Sequence, residues 1–529
     1  MSEHRIGPAE SLLQDGEMQR FELDGKPVIL ARVAGEYYAF GGKCTHYGAP
    51  LEQGVLKDHA VICPWHHACF DIRSGARLEP PALNDLPHYS VSISAGDVTV
   101  SLPHANPTEP QGRATPADTR HFVIVGGGAA GSAAAEELRR AGFEGRITVI
   151  SGVGNVPIDR PNLSKDYLDG HAKPAWIPLR SPEWYAERDI DLRLNTRVNH
   201  IDPDAHQLFI DGGAPISYDR LLLATGGAPR HLRDVPGADL RGIYTLRTLD
   251  DADRIIRAAE SGTRVVVIGA SFIGMEVAAA LAEGRGVRVT VVAPEAVPFD
   301  RTLGAEIGRM LQQLHEENGV RFCLNDNVTG FNGQDGQVTG VTLKSGESLP
   351  ADFVVVGIGV VPVTDYLEGA GLALNERDRS VQVNRHLQTS HPDIYAAGDI
   401  ARWDNGNGGV RIEHWRVAQQ QGIVAARNML DQRETIERRV PFFWSRQWGL
   451  RLNYVGHAAS WDDVIFWGGT PAGRKFIAFY VQDGELQAAA GCGYDRELDA
   501  VEFILRDALP LSPDQMRDPA FDLITYARS

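Results

Sequence analysis

Two short segments of the chain carry side chains that bind metals. They are Cys44-Thr45-His46 and Cys63-Pro64-Trp65-His66, a C-x-H and a C-x-x-H with 16 residues between them. Two thiolates and two imidazoles can hold zinc, or a [2Fe–2S] cluster with the cysteines on one iron and the histidines on the other. Zinc sites typically pair like with like, whereas here each segment mixes the two ligand types. The chain has five cysteines in all, too few and odd in number for a disulfide framework. Cys69 and Cys323 read as packed thiols, and Cys492 stands between two glycines.

A second set of residues suits phosphate. Phe122-Val123-Ile124-Val125 runs into Gly126-Gly127-Gly128-Ala129-Ala130-Gly131, and Val265-Val266-Val267-Ile268 runs into Gly269-Ala270-Ser271-Phe272-Ile273-Gly274. A buried strand, a glycine turn and a helix N-terminus let backbone amides approach a pyrophosphate, while the last glycine lets helix pack on strand. The first helix is expected over Ser132–Arg140. In the second turn Ser271 replaces the middle glycine and offers a hydroxyl to the phosphate. The strand after the first turn ends Ile150-Ser151-Gly152 without a carboxylate, so ribose recognition falls to Ser151 or Arg160. The strand after the second ends Ala293-Pro294-Glu295; Glu295 tilts the choice towards NAD, while Arg288 and Arg301 keep NADP open.

These residues need scaffolds, and the chain supplies several. Short strands at Pro27–Ala31, Glu36–Phe40, Ser90–Ile93 and Val98–Val100 make an all-β domain from about Phe21 to Leu102. Residues 104–120 are polar and proline-rich and read as a linker of 17 residues, reaching roughly 20–25 Å as a coil. Two strand–glycine–helix starts, at Gly126 and Gly269, imply a duplicated nucleotide-binding unit. From about Val440 clustered aromatics and alternating strands mark a C-terminal α+β domain. A chain of 529 residues with 43% apolar and 23% charged residues has room for roughly three to four such cores. Its net charge of −17 disfavours nucleic acid and anionic membrane surfaces. The longest apolar run, near Phe353 to Val361, is a buried strand, well short of the roughly 18 residues of a membrane span. Met1-Ser2-Glu3-His4-Arg5 has no secretory or transit character, and the expected location is cytoplasmic.

CTHYGAPL (44–51) and CPWHHACFD (63–71) resemble the two cluster loops of a Rieske ferredoxin domain. The resemblance implies Cys44, His46, Cys63 and His66 as ligands. High-potential respiratory relatives carry extra cysteines and Ser and Tyr hydroxyls where this chain has Ala49, Trp65, Ala68 and Phe70, so a potential at the low end of the Rieske range is expected. His67 stands where that family usually has glycine. The remaining chain resembles ferredoxin-reductase-like and apoptosis-inducing-factor-like flavoproteins. Five segments carry the FAD resemblance: Gly126, Gly128 and Gly131; Asp159-Arg160-Pro161-Asn162-Leu163-Ser164-Lys165; Ala224-Thr225-Gly226; Tyr395-Ala396-Ala397-Gly398-Asp399; and Glu413-His414-Trp415. They imply Arg160, Lys165, Thr225, Gly226, Asp399, Glu413, His414 and Trp415 as FAD contacts. Gly269, Ser271, Gly274 and the Gly357-Ile358-Gly359 turn are implied for NAD(P), with Lys165 and Glu276 paired between flavin and nicotinamide as the catalytic residues.

Two patterns are set aside. No cysteine lies between Cys69 and Cys323, so the flavin-side dithiol of disulfide reductases is missing. His386 and His391 have the spacing of an oxygenase iron site, but Val383 stands where its carboxylate belongs.

The resemblance implies a multidomain fold: a Rieske domain (1–103), a linker (104–120), an α/β Rossmann-like FAD domain (121–245 and 373–437) interrupted by a Rossmann-like NAD(P) domain (246–372), and a C-terminal interface domain (438–529). It implies an NAD(P)H oxidoreductase passing electrons through FAD and the Rieske cluster to an unidentified acceptor, with a protein acceptor and a homodimer both open. The alternative is a redox-responsive interaction protein with incidental turnover.

Overall fold

Alternating apolar and polar residues along short runs build the N-terminal domain as sheets buried on one face. The computed structural model describes residues 2–103, 118–404, 406 and 408–529, so most of the expected linker lies outside the described residues. Six antiparallel strands stand in the order Ser2–Pro8, Asp97–Leu102, His88–Ser94, Glu36–Gly41, Lys26–Val33, Met18–Leu23. Val55–Lys57, Ala60–Ile62, Cys69–Asp71 and Arg77–Glu79 form a smaller sheet. The four strands expected from sequence fall within these. The domain begins before Phe21, however, because Ser2–Pro8 pairs with Asp97–Leu102. That strand lies at a sheet edge and is half exposed, so its charged residues hide the alternation.

The chain divides into two compact units. One holds the N-terminal domain together with Arg438–Trp444 and Leu452–Ser529, and the other holds the nucleotide folds with Ser445–Arg451. The C-terminal sheet runs Phe442–Gln447, Leu450–Gly456, Glu485–Cys492, Phe476–Gln482, Asp463–Trp467, with helix Asp495–Arg506 following its fifth strand in the chain. Val55, Ile62 and Cys69 share one apolar core with Phe442, Val455, Val501 and Phe503. Two segments far apart in sequence are therefore one hydrophobic body. Cys69 and Cys492 are buried thiols, and burial pushes Cys492 up to about 12.

The second unit contains two parallel sheets of the same build. The first is ordered Ile190–Arg193, Arg146–Ile150, His121–Val125, Arg220–Leu223, Ile394–Ala396; the second Ile243–Tyr244, Phe353–Val356, Arg264–Ile268, Arg288–Ala293, Arg321–Leu324. In each, the central strand leads into a glycine turn and a helix, Ala129–Arg140 or Phe272–Arg285. The first helix starts at Ala129 instead of Ser132, because the two alanines accept helical geometry within the turn itself. Ile394–Ala396 returns to the first sheet beside Arg220–Leu223, so that sheet is completed from both sides of the second. Helix Trp415–Met429 packs on Ala129–Arg140 so closely that a Cβ on Gly422 would lie 2.2 Å from the Ala130 oxygen. The apolar run at 353–361 is two strands: Gly359 turns left-handed (φ +90°), and Val360–Pro362 pairs antiparallel with Gly227–Pro229 in another sheet. Cys323 is half-buried on its strand and not core.

Candidate functional site

Cys44 and Cys63 open two turns of one design. The Gly48 N–H donates to the Cys44 carbonyl (2.9 Å) and the Cys44 N–H to that of Ala49 (2.9 Å); the His67 N–H donates to the Cys63 carbonyl (3.0 Å) and the Cys63 N–H to that of Ala68 (2.8 Å). Each turn closes on a left-handed residue, Gly48 (φ +78°) and His67 (φ +58°). The pair of turns brings His46 Nδ1 to 3.1 Å from His66 Nδ1, and the Cys63 thiol hydrogen-bonds the Cys44 sulfur. Backbone N–H groups of His46 and Tyr47 donate to the Cys44 sulfur, and those of Trp65 and His66 to the Cys63 sulfur. Burial pushes the Cys63 thiol up, while its hydrogen bond holds Cys44 down. Burial lowers His46 to about 3, so its imidazole is neutral with a lone pair to give.

Two sulfurs already receiving amide hydrogen bonds, beside two facing Nδ1 atoms, fit a [2Fe–2S] cluster with two thiolates on one iron and two imidazoles on the other. Tyr47 stacks on His46 with centroids 4.0 Å apart, and the Trp444 ring lies 4.4 Å from that of His66. Ala49, Ala68 and Phe70 are buried and bring no hydroxyl or thiol to the cage.

In the second unit the first glycine turn is a close-approach structure. A Cβ on Gly126 (φ +117°) would lie 2.1 Å from the Ala224 oxygen, and one on Gly131 would lie 1.9 Å from the Gly126 oxygen. A Cβ on Gly128 would meet the Arg160 guanidinium at 3.6 Å. Burial, and then the neighbouring Arg247 cation, hold the Arg160 guanidinium down to about 9. Arg247 bonds Asp399 at 2.8 Å. Two guanidiniums and one carboxylate leave an excess of positive charge at a helix N-terminus, a place for an anion. Thr225 donates to the Val363 carbonyl (2.8 Å), tying its turn to the strand after Gly357-Ile358-Gly359. Glu413 bonds Arg411 at 2.5 Å, and burial pushes its carboxyl up. His414 caps helix Trp415–Met429, and Gln421 on that helix accepts from the Gly398 N–H at 2.7 Å.

Lys165 and Glu276 meet: Nζ lies 2.7 Å from Oε2, with the side chains 12% and 5% exposed. Ser164 donates to the same oxygen (2.5 Å) and Ser445 to Oε1 (2.8 Å). The carboxylate is thus held on three sides, and the ammonium is held in place by it and by the Pro161 carbonyl at 3.2 Å. Glu276 extends from the helix that follows the second glycine turn, where a Cβ on Gly274 would lie 2.0 Å from the Gly269 oxygen. Ser271 stands at that helix's N-terminus and makes no side-chain bond to it.

Arg288 is a correction. It begins strand Arg288–Ala293 and bonds the Gly262 carbonyl at 2.8 Å, whereas nucleotides bind at the carboxyl ends of parallel strands. Glu295 and Arg301 follow that carboxyl end. The histidines set aside hold a loop: the His386 Nδ1 pairs with the Glu434 carbonyl, and the His391 Nδ1 accepts from the Asp393 N–H. Sequence reasoning missed Arg247, Ser164 and Ser445, each of which meets its partner only through the fold.

The chain matches known proteins along most of its length. Residues 120–422 match the family Pyridine nucleotide-disulphide oxidoreductase, residues 3–90 the Rieske [2Fe-2S] domain and residues 442–527 the family Reductase C-terminal. Apoptosis-inducing factor 3 of Homo sapiens is 38% identical over 507 residues, spanning 93% of this chain and 82% of that protein. Putidaredoxin reductase of Pseudomonas putida is 35% identical over 418 residues, 77% of this chain and 98% of that one. Among solved structures, the covalent putidaredoxin reductase–putidaredoxin complex matches with a TM-score of 0.73 at 34% identity, over 77% of this chain and 98% of that chain.

Proposed function

Because the chain belongs to the pyridine nucleotide-disulphide oxidoreductase family, we propose that it takes electron pairs from NAD(P)H and delivers them singly through its Rieske cluster to an outside acceptor. It is an FAD-dependent NAD(P)H oxidoreductase of ferredoxin-reductase type, with a Rieske [2Fe–2S] domain and a reductase C-terminal domain. The observation that carries the reading is the presence, in one chain, of the facing His46 and His66 Nδ1 atoms and the Lys165–Glu276 pair. Bound FAD supplies two-electron chemistry with nicotinamide and one-electron chemistry with an iron–sulfur cluster.

The residues divide that work. Gly126, Gly128 and Gly131 clear a path for the FAD pyrophosphate, and Arg160 and Arg247 supply its countercharge. Asp399, fixed by Arg247, would hold the ribityl chain of bound FAD, and Thr225, Gly226, Glu413, His414 and Trp415 would line its flavin site. Gly269, Ser271, Gly274, Gly357 and Gly359 receive the nicotinamide dinucleotide, with Glu295 favouring NAD. Lys165, steered by Glu276, would supply an ammonium to bound flavin, whose chemistry brings in negative charge on reduction. Cys44, His46, Cys63 and His66 ligate the cluster. Putidaredoxin reductase has been captured with putidaredoxin as a separate partner; here an iron–sulfur domain is part of the same polypeptide.

Among the described residues no helix is long and apolar enough to cross a membrane.

Anaerobic stopped-flow mixing with NADH tests the reading. Flavin absorbance is expected to fall first and the cluster signal after it, with rapid turnover of a one-electron acceptor. A cluster that stays oxidised beside a bleached flavin would refute the route. Slow turnover with a large NADH-driven change in size by light scattering would instead support the interaction-protein alternative.

Gly274→Ala separates the two nucleotide sites. Its Cβ forces the second turn open, an overpacking cost of about 1–3 kcal/mol. The variant should keep its full FAD content while needing roughly fivefold to a hundredfold more NADH to bleach it, since about 1.4 kcal/mol is a factor of ten. Normal NADH affinity would remove the second turn from the nicotinamide site.

A further inference from the structure

The two cluster turns share their hydrogen bonds but not their left-handed residue, and the difference points to a function. At Gly48 a Cβ would meet open space, and glycine takes this conformation without steric penalty. His67 takes it with a side chain attached, which is unfavourable for any L-residue with a Cβ. That side chain is fully buried. Its ring stacks on Phe442 (centroids 3.9 Å, 21° between planes). Its Nδ1 lies 2.6 Å from Glu502 Oε2 and its Nε2 lies 3.2 Å from Asp499 Oδ1. Asp499 and Glu502 are three residues apart on helix Asp495–Arg506, one face of one turn, and both are buried. Three buried polar side chains are an expensive way to close a turn that glycine closes unaided.

We propose that His67, hydrogen-bonded to Glu502 and stacked on Phe442, is a positioning residue for the cluster. It holds the second turn so that the Trp65 and His66 N–H groups stay aimed at the Cys63 sulfur. The proposal rests on the Rieske reading of the cage. Hydrogen bonds to ligand sulfur stabilise the more negative, reduced cluster and so raise its potential. Removing the imidazole relaxes the turn and loosens those two hydrogen bonds, which lowers the potential. Helix Asp495–Arg506 of the C-terminal domain thereby becomes part of the cluster site.

The test uses the full-length protein and His67→Gly, the residue the first turn already tolerates. Iron and labile sulfide should be retained. At a fixed poise the reduced-to-oxidised ratio of the cluster should fall at least tenfold, about 59 mV for one electron, with shifted EPR g-values. Glu502→Gln, whose amide oxygen still accepts from the Nδ1–H, should match the unmodified protein, while Glu502→Ala should follow His67→Gly. An unchanged potential and spectrum in His67→Gly overturns the proposal even if the melting temperature moves. Should His67→Gly emerge without iron, the Glu502→Ala and Glu502→Gln pair decides by the same two outcomes. Absence of iron and sulfide from the unmodified protein would refute the cluster reading instead, so the two failures are distinct.

Discussion

Cys63→Ser is expected to yield protein with no iron and no labile sulfide that still binds FAD and is bleached by NADH. Cys63 is 1% exposed and its sulfur receives two backbone N–H groups as well as its partnership with Cys44. A serine hydroxyl in that position is a poor ligand: iron–sulfur clusters are held by soft thiolates, and an alkoxide would have to form in a dry site. Three ligands remain, two of them on the histidine iron, so one iron is left with a single protein donor. Transfer to one-electron acceptors should drop to the level the flavin supports by itself. FAD should persist because the Gly126 turn, Arg160 and Arg247 belong to the unit built on the parallel sheets, which has its own core. Iron and sulfide assays with flavin absorbance decide the matter. Loss of FAD along with iron would show that the two sites are not independent.

What the sequence made legible follows from what cofactors demand. A cluster needs given donor atoms at short range, and a pyrophosphate needs small residues at a strand's end, so both leave contiguous signatures such as Cys63-Pro64-Trp65-His66 and Gly126 to Gly131. Residues that act on those residues are under no such constraint. Arg247 stands 152 positions from Asp399, Ser445 stands 169 from Glu276, and His67 stands 435 from Glu502. No local pattern could pair them. Arg288 misled for a related reason: proximity in sequence to a strand does not say which end of the strand a side chain occupies. The core that Val55 and Ile62 share with Phe503 was equally hidden, because each segment looks like an ordinary domain with one apolar face. His67 was the exception, visible as a departure from glycine although its carboxylate partners were not.

Lys165→Met should slow flavin bleaching by NADH by about 10²–10³-fold, the usual cost of removing one preorganised donor from a site of developing negative charge. Methionine keeps the length and flexibility of the side chain, so packing changes little. The charge is what goes. Glu276 would then be a buried carboxylate facing only the hydroxyls of Ser164 and Ser445, and stripping one partner from a buried ion pair costs about 3–5 kcal/mol. Stability and rate should therefore separate in the double variant. Lys165→Met/Glu276→Gln removes the stranded charge and should regain most of the lost stability in denaturant unfolding, yet remain as slow as Lys165→Met. Ser445→Ala, which takes one of three hydrogen-bond donors from Glu276 and leaves the ammonium in place, should slow bleaching by roughly tenfold or less, in keeping with one hydrogen bond of about 0.5–1.5 kcal/mol. A Lys165→Met protein that bleaches at the unmodified rate would mean that the pair stands away from the hydride acceptor and serves only to bolt the two nucleotide folds together.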